Sequence, residues 1–459
     1  MGLELLFSVI LVASYHLQYG DGRMNLSIKD FIYDANNTNA DYSQAFRYAW
    51  KAICEVNGKD EATSLVIHAN ETYIIQPQLF QGPCVSRNLH IQIDGKLEAP
   101  KTVKEWENIN NESKCWLCFA NVTGLVLNGS GVLHPYGEAW WSSIEHSHRP
   151  RTVGFNGSSN IIYNGLTQMN SPKNHISIFN CTNTTLSNLH LIAPEDSPNT
   201  DGIDIALSNN IQIFNSSIQT GDDCVAINGG SYDINITHVA CGPGHGISIG
   251  SLGRGGVNDT VENVKVRHCS FNGTHNGARI KTWAGGHGFA KNILYENITL
   301  TDVKYPIIID QHYCNGGHNC TEETTAVKVS NVTFKYFEGT CANDIAIKLD
   351  CDKVVGCHDI VMEHINITSS STKIPLTTYC QYADVVSHII SIDIKCGFDE
   401  EPQAPAKPPT PAKPPTMFPQ TPVPYVKPPA PYAKPLPPNT QPPALSPLPY
   451  LINLFKTFL

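Results

Sequence analysis

The chain has 459 residues, long enough for two or three ordinary domains or for one extended β architecture. Its formal net charge is −10, yet only 16% of the residues are charged. That balance argues against nucleic acid as the main partner, and any polyanionic ligand must be held by a few local cations rather than by the overall field.

The chain opens on "LELLFSVILVASY", whose apolar core from Leu5 to Val12 is too short to span a bilayer. It predicts a secretory signal peptide over residues 1–22, although Glu4 stands where a Lys or Arg is usual and no clean small-x-small site follows. Cysteine usage agrees with an oxidising compartment. There are fifteen, with close pairs Cys224/Cys241, Cys314/Cys320, Cys351/Cys357 and Cys380/Cys396 whose spacing is not that of a zinc site. The odd count leaves at least one thiol unpaired within a monomer. Asn-x-Ser/Thr sequons also abound, among them Asn25, Asn70, Asn121, Asn235, Asn297 and Asn366, which fits a secreted glycoprotein.

"YSQAFRYAWKAIC" (Tyr42 to Cys54) is the one convincing amphipathic helix, placed to cap the end of whatever follows. A repeating unit comes next: Asn or Asp, apolar-x-apolar, a few polar residues, then Gly or Asp and a second apolar-x-apolar strand. It starts at Asn160, Asn210, Asp233, Asn263, Asn292 and Asn331, with starts roughly 22 to 39 residues apart from Asn210 onward. The strands alternate with period two and no unit could bury its apolar face alone, whereas stacked units would. The pattern predicts an all-β fold, a right-handed parallel β-helix over residues 23–400, with Asn side chains stacked at the turns and bridging backbone groups. After Cys396 the composition turns to proline, so residues 401–459 are expected to form a disordered, polyproline-II-like tail. The closing "LINLFKTFL" is too short and Lys-interrupted for a membrane anchor.

The chemistry concentrates in "SPNTDGIDIALSNNIQIFNSSIQTGDDCVAI", Ser197 to Ile227, where four aspartates sit among apolar residues. Asp201 and Asp222 are 21 residues apart, and Asp222 and His245 are 23 apart, each about one coil. Residues one coil apart stack at roughly 4.8 Å. Asp201, the Asp222/Asp223 pair and His245 should therefore form a ladder on one face, extended by Arg279 and Lys281 of "GARIKTW". Asp222 and Asp223 would face opposite sides of a regular strand; Gly221 suggests a bulge or turn that brings both to the groove. Clustered carboxylates cannot all ionise equally, so one should keep its proton in mild acid. A protonated acid beside ionised partners is the equipment for glycosidic cleavage, with the cations free to hold an acidic sugar.

Here the residues resemble a known family. "NTDGIDI", "GDDCVAI", "GPGHGISIGSLG" and "RIKTW" look like the four signature blocks of the polygalacturonases of glycoside hydrolase family 28, and "FQGPC", "IDGKLEAP", "NSPKNHISI" and "AGGHGFAKNILYENI" are similar to their plant branch. The resemblance runs from about Lys29 to Cys396. It implies a secreted, monomeric enzyme of the plant cell wall that hydrolyses homogalacturonan with inversion and without a cofactor or metal. Asp222 would be the general acid, Asp201 and Asp223 would activate water, and His245 would support the acid. Arg279, Lys281 and Tyr313 would contact galacturonate, and Cys224 and Cys241 would form a disulfide bracing the catalytic coils. Asp204 reads as a polar strand residue, and Trp140 and Trp141 as core packing. "HPYGEAWW" from His134 departs from the family's Asp-Gly-x-Gly turn. The proline-rich tail resembles wall-associated proline-rich proteins, and its Lys407, Lys413, Lys427 and Lys434 could pair with de-esterified pectin. The rival readings are a calcium-dependent pectate lyase, a non-catalytic pectin-binding wall protein, and a related hydrolase acting on rhamnogalacturonan or xylogalacturonan.

Overall fold

A computed structural model describes residues 19–20, 23–32, 41–55, 63–106, 114–142, 148–314, 324–371 and 375–398. The expected proline-rich tail and nearly all of the expected signal peptide lie outside these residues. Among the described residues no helix is long and apolar enough to cross a membrane.

Two sheets of almost wholly parallel strands wind around one core, which makes the fold a parallel β-helix. The face that matters for the site is an eleven-stranded sheet. Its strands are β1 (Gln78–Gln81), β2 (Cys115–Ala120), β3 (Arg151–Asn156), β4 (Ile176–Phe179), β5 (Ile203–Ala206) and β6 (Val225–Ile227). They continue as β7 (Ile247–Leu252), β8 (Asn276–Trp283), β9 (Tyr305–Tyr313), β10 (Ile345–Asp350) and β11 (Thr377–Gln381). Period-two alternation sends two columns inward. In register, Val153, Ile176, Ile203, Val225, Ile247, Ala278, Ile307 and Ile347 stack coil on coil, every one fully buried. Each large aliphatic in such a column contributes roughly 1.5–3 kcal/mol of burial. The residues between the columns face out: Ser177, Asp204, Ala226, Ser248, Arg279, Ile308, Lys348 and Tyr379 form one continuous outer row.

The second sheet is made largely of long strands that turn two corners, each through a left-handed residue. The corners lie five residues apart: Asn210 and Asn215, Asp233 and His238, Asn263 and His268, Asn292 and Asn297, Asn331 and Tyr336, Asp359 and His364. Asn and Asp tolerate this conformation best among residues with a side chain, which is why the repeat begins on them. The predicted stacking is present, with one correction: the amides bond to one another rather than to the backbone. Asn292 Nδ2 donates to Asn263 Oδ1 at 3.1 Å, and Asn331 Nδ2 to Asn292 Oδ1 at 2.7 Å.

The predicted helix forms as α1 (Ser43–Cys54), one residue shorter at its start, with Asp41 accepting the Ser43 N–H at 2.9 Å. Trp50 packs on Phe80 and Phe119, its indole donates to the Gln81 carbonyl, and Cys54 is disulfide-bonded to Cys84. The helix therefore covers the first coils as expected. The departing "GEAWW" segment is a short helix, Glu138–Trp141; Trp140 is buried against Trp106, and Trp141 donates to the Ser171 carbonyl. Cys224 joins Cys241, Cys351 joins Cys357, Cys380 joins Cys396, and Cys115 joins Cys118. Cys314 is disulfide-bonded, while Cys320 lies outside the described residues.

Candidate active site

Gly221 opens the loop that carries the two adjacent aspartates. A Cβ there would come within 2.0 Å of the Ser197 carbonyl oxygen, so only glycine permits this approach, and its N–H donates to Thr200 Oγ1 at 3.0 Å. Of the expected bulge or turn at Gly221, it is the turn that forms, as a bend outside the strand. Asp222 and Asp223 sit in a bend just before β6, so strand alternation does not govern them. Backbone bonds then lock three successive coils in register: Gly202 N–H to Asp223 O at 2.8 Å, and His245 N–H to Asp222 O at 2.7 Å. Asp201, Asp223 and His245 consequently occupy equivalent positions, each two residues before an inward residue of the Ile203–Val225–Ile247 column.

The neighbours part ways at the side chain. Asp222 stays 20% exposed and meets His245 Nδ1 at 2.8 Å through Oδ1, while Asn199 Nδ2 lies 3.3 Å from Oδ2. Asp223 is 1% exposed and lies beneath the surface. The Ser248 hydroxyl donates to its Oδ1 at 2.7 Å, Lys281 Nζ to its Oδ2 at 2.6 Å, and Arg279 approaches to 3.6 Å. The sequence expectation that both aspartates reach the groove holds for Asp222 alone. Lys281, expected among sugar-binding cations, is itself buried on Asp223. Tyr313 lies under both cations, 5.5 Å from each to the ring centroid, and stands edge-on to Trp283.

These surroundings push the acids apart. Burial raises Asp201 well above the carboxylate range, and the charges of Asp222, Asp204 and Asp223 push it further. Burial would raise Asp222 as well, but the hydrogen bond and charge of His245, with the charge of Lys281, hold it down at about 2. Burial alone would lower Lys281, yet the adjacent Asp223 keeps it raised. Among these carboxyls Asp201 is thus the one pushed toward keeping its proton, and Asp222 the one pushed toward losing it. Asp222, Asp223 and His245 each present one ligand atom within 4.8 Å of the others. Both Asp223 oxygens are already bonded by Lys281 and Ser248, and the imidazole faces Asp222, so these donors are engaged within the protein.

Sequence reasoning passed over the residues that hold this loop. Arg149, buried in the core wall, donates to the carbonyls of Pro172 and Pro198 and to Asn199 Oδ1. It thereby positions the Asn199 amide beside Asp222. Ser248 was equally unmarked. Their signal lay only in register: Arg149 shares the "RPRTVGF" segment that enters β3, and Ser248 stands on the outer row of β7.

Residues 58–388 match the family described as glycosyl hydrolases family 28. The chain belongs to that family. It is 44% identical over 336 residues to a probable polygalacturonase of Arabidopsis thaliana, covering 72% of this chain and 71% of that protein. It is 38% identical to a polygalacturonase of Persea americana, covering 76% and 75%, and 38% identical to polygalacturonase-2 of Solanum lycopersicum, covering 76% and 78%. The fold is shared with an endo-xylogalacturonan hydrolase from Aspergillus tubingensis, at TM-score 0.66 and 23% identity over 82% of this chain and 99% of that one. It is also shared with a polygalacturonase from Erwinia carotovora, at TM-score 0.61 and 22% identity over 83% and 100%. The family 28 chain is accordingly a glycoside hydrolase, and its grouped aspartates, imidazole and cations lie on one face of the helix.

Proposed function

We propose that this family 28 enzyme hydrolyses the α-1,4-galacturonosyl linkages of homogalacturonan, the acidic backbone of pectin, by an inverting acid/base mechanism. The observation that carries the reading is the juxtaposition of carboxylates of opposed acidity, Asp201 and Asp222, with the buried Asp223–Lys281–Arg279 ion cluster. The polygalacturonase relatives support galacturonan as the substrate.

In this mechanism Asp222 donates a proton to the leaving oxygen, and Asp201, with Asp223 behind it, takes one from the attacking water. Asp223 is unsuited to act as a covalent nucleophile: it is 1% exposed and both its oxygens are bonded to the protein. Water then attacks directly, which inverts the anomeric centre. For the reaction Asp222 must carry a proton and Asp201 must be ionised, the reverse of the direction in which the unliganded site pushes them. Substrate binding drives this reversal, because the sugar ring displaces water from Asp222 and the uronate carboxylates add negative potential; both raise its pKa. His245 orients the Asp222 carboxyl, and Arg279 and Tyr313 offer a cation and a ring face to a galacturonate.

Wild type and Asp222→Asn, compared on polygalacturonic acid in chelator, test the reading through new reducing ends. The expected result is metal-independent release of reducing ends, lowered about 10²–10⁴-fold in Asp222→Asn, the range of a lost general acid. No reducing ends from wild type in mild acid would overturn it. We also propose that the enzyme is secreted to the plant cell wall and that the proline-rich tail retains it there. Deleting the residues after Glu400 should release protein from isolated walls without loss of hydrolysis; unchanged retention would count against the tail.

A further inference from the structure

The second corners of the long strands form a row of their own along the solenoid. In register it reads His238, His268, Asn297, Tyr336 and His364, one residue per coil, each at φ between 53° and 55°. His238 and His268 stack with centroids 5.1 Å apart and planes 19° from parallel, and Tyr336 and His364 pack at 4.8 Å and 37°. Rings thus fill the row on both sides of Asn297 and are interrupted there. The gap opens into a surface groove of about 620 Å³ lined by His268, Asn297, Thr299, Tyr336 and His364. His268 is exposed and Tyr336 is 41% exposed, so this pair adds little to the core. Lys335 Nζ lies 4.9 Å from the Tyr336 centroid and pairs with Glu363 on the coil beyond.

Asn297 begins "NIT", an Asn-x-Thr sequon in the strand His287–Val303. Asn297 and Thr299 are both exposed, with Ile298 buried between them. Among the described residues the Asn297 amide makes no side-chain hydrogen bond. Other sequons differ. Asn331 Nδ2 is committed to Asn292 Oδ1 at 2.7 Å and Asn235 Nδ2 to Gln212 Oε1 at 3.0 Å. A sugar on either would disturb a contact between coils, whereas one on Asn297 displaces nothing. His268 and Tyr336 stand two coils apart, roughly 10 Å by strand spacing, which is room for one pyranose in van der Waals contact with a ring on each side. We propose that Asn297 carries an N-linked glycan whose first sugar sits in this gap, between the His268 and Tyr336 rings. In the step itself Asn297 Nδ2 displaces diphosphate from C1 of an N-acetylglucosamine on a lipid-diphosphate donor. The C1–O bond breaks with its electron pair leaving on the diphosphate, a C1–N bond forms, and the amide gives up one proton. The inference rests on the secretion proposed above, because this modification belongs to secreted chains.

The full chain expressed in plant cells tests this. Treating the secreted protein with peptide N-glycosidase in heavy-oxygen water turns each occupied Asn into an Asp of raised mass, which peptide mass spectrometry locates. Asn297 should be marked in nearly all molecules, and Asn235 and Asn331 left unmarked. Thr299→Val, which removes the sequon but keeps Asn297, should lose that glycan, hydrolyse polygalacturonic acid as wild type does, and melt roughly 1–3 °C lower, the scale of a lost ring contact in a chain of this size. Thr299→Ser should keep both the glycan and the melting point. In a Tyr336→Ala background the glycan should remain, and adding Thr299→Val should then cost little further. A bare Asn297 in the secreted chain, or equal occupancy at Asn235 and Asn331, would overturn the site. A glycan whose loss costs as much without Tyr336 as with it would overturn its seat on the rings. A chain retained inside the cell would instead remove the secretion reading on which the site depends.

Discussion

Asp201 and Asp222 lie on neighbouring coils, yet the pKa of one is pushed well above the ordinary carboxylate range and that of the other below it. Linkage turns that contrast into stability. A carboxyl whose pKa is raised on folding costs stability as pH climbs from its unfolded value through its folded one. Asp201→Asn should therefore be inactive but melt higher than wild type, by a margin that grows as pH rises above about 4, the unfolded carboxylate value. Asp222 has the opposite sign. Its fall from 3.8 to about 2 contributes stability above pH 3.8 that is lost as pH drops through about 2. Asp222→Asn should forfeit roughly 2 kcal/mol near neutrality. Removing Asp223 strands Lys281 in the interior, and Asp223→Ala should cost about 3–5 kcal/mol. Melting curves of the three variants across pH check all of this. A destabilised Asp201→Asn would show that its burial is not costly.

At the first corners of the long strands of the second sheet, the side-chain amides of Asn263 and Asn292 both donate and accept. Asn292 donates to Asn263 and accepts from Asn331 while sitting at φ 57°. Asn292→Ala loses both bonds and the tolerance for that backbone, and should cost about 1–3 kcal/mol in denaturant unfolding. Asn292→Gly should recover part of it by relieving the backbone alone; equal losses would assign the effect to the amides only. These first corners were legible in the sequence because left-handed geometry selects Asn and Asp. The second corners were less so. Asn215 and Asn297 obey the same rule, but Tyr336 and Ile389 occupy the same conformation, and neither residue type announces it.

At the scale of the whole molecule, α1 closes an end that the stacked aromatics of Phe80, Phe119 and Phe155 would otherwise expose. Because each coil touches mainly its neighbours, damage at the end should stay there. Trp50→Ala should cost about 3–5 kcal/mol, and hydrogen exchange should quicken in β1 and β2 before it does in the acid-bearing coils around β6. Uniform loss of protection would mean that the helix unfolds as one unit.

The solenoid and the row of Asp201, Asp222, Asp223 and His245 were readable because coil length and residue type repeat together, the cap because its apolar face repeats with helical period, and the Cys224–Cys241 disulfide through the family resemblance. The burial of Asp223 was hidden, since a bend obeys no alternation. Arg149 and Ser248 were hidden as well, because only the register of neighbouring coils, not their distance along the chain, brings them to the acids.

The claim that direct water attack is coordinated by Asp201 and Asp222 stands or falls on stereochemistry. Proton NMR of the first products from an α-linked oligogalacturonide, read before mutarotation, should show new reducing ends in the β configuration. New ends appearing first as α would mean retention through a covalent intermediate, and would contradict the roles given to Asp201, Asp222 and the buried Asp223.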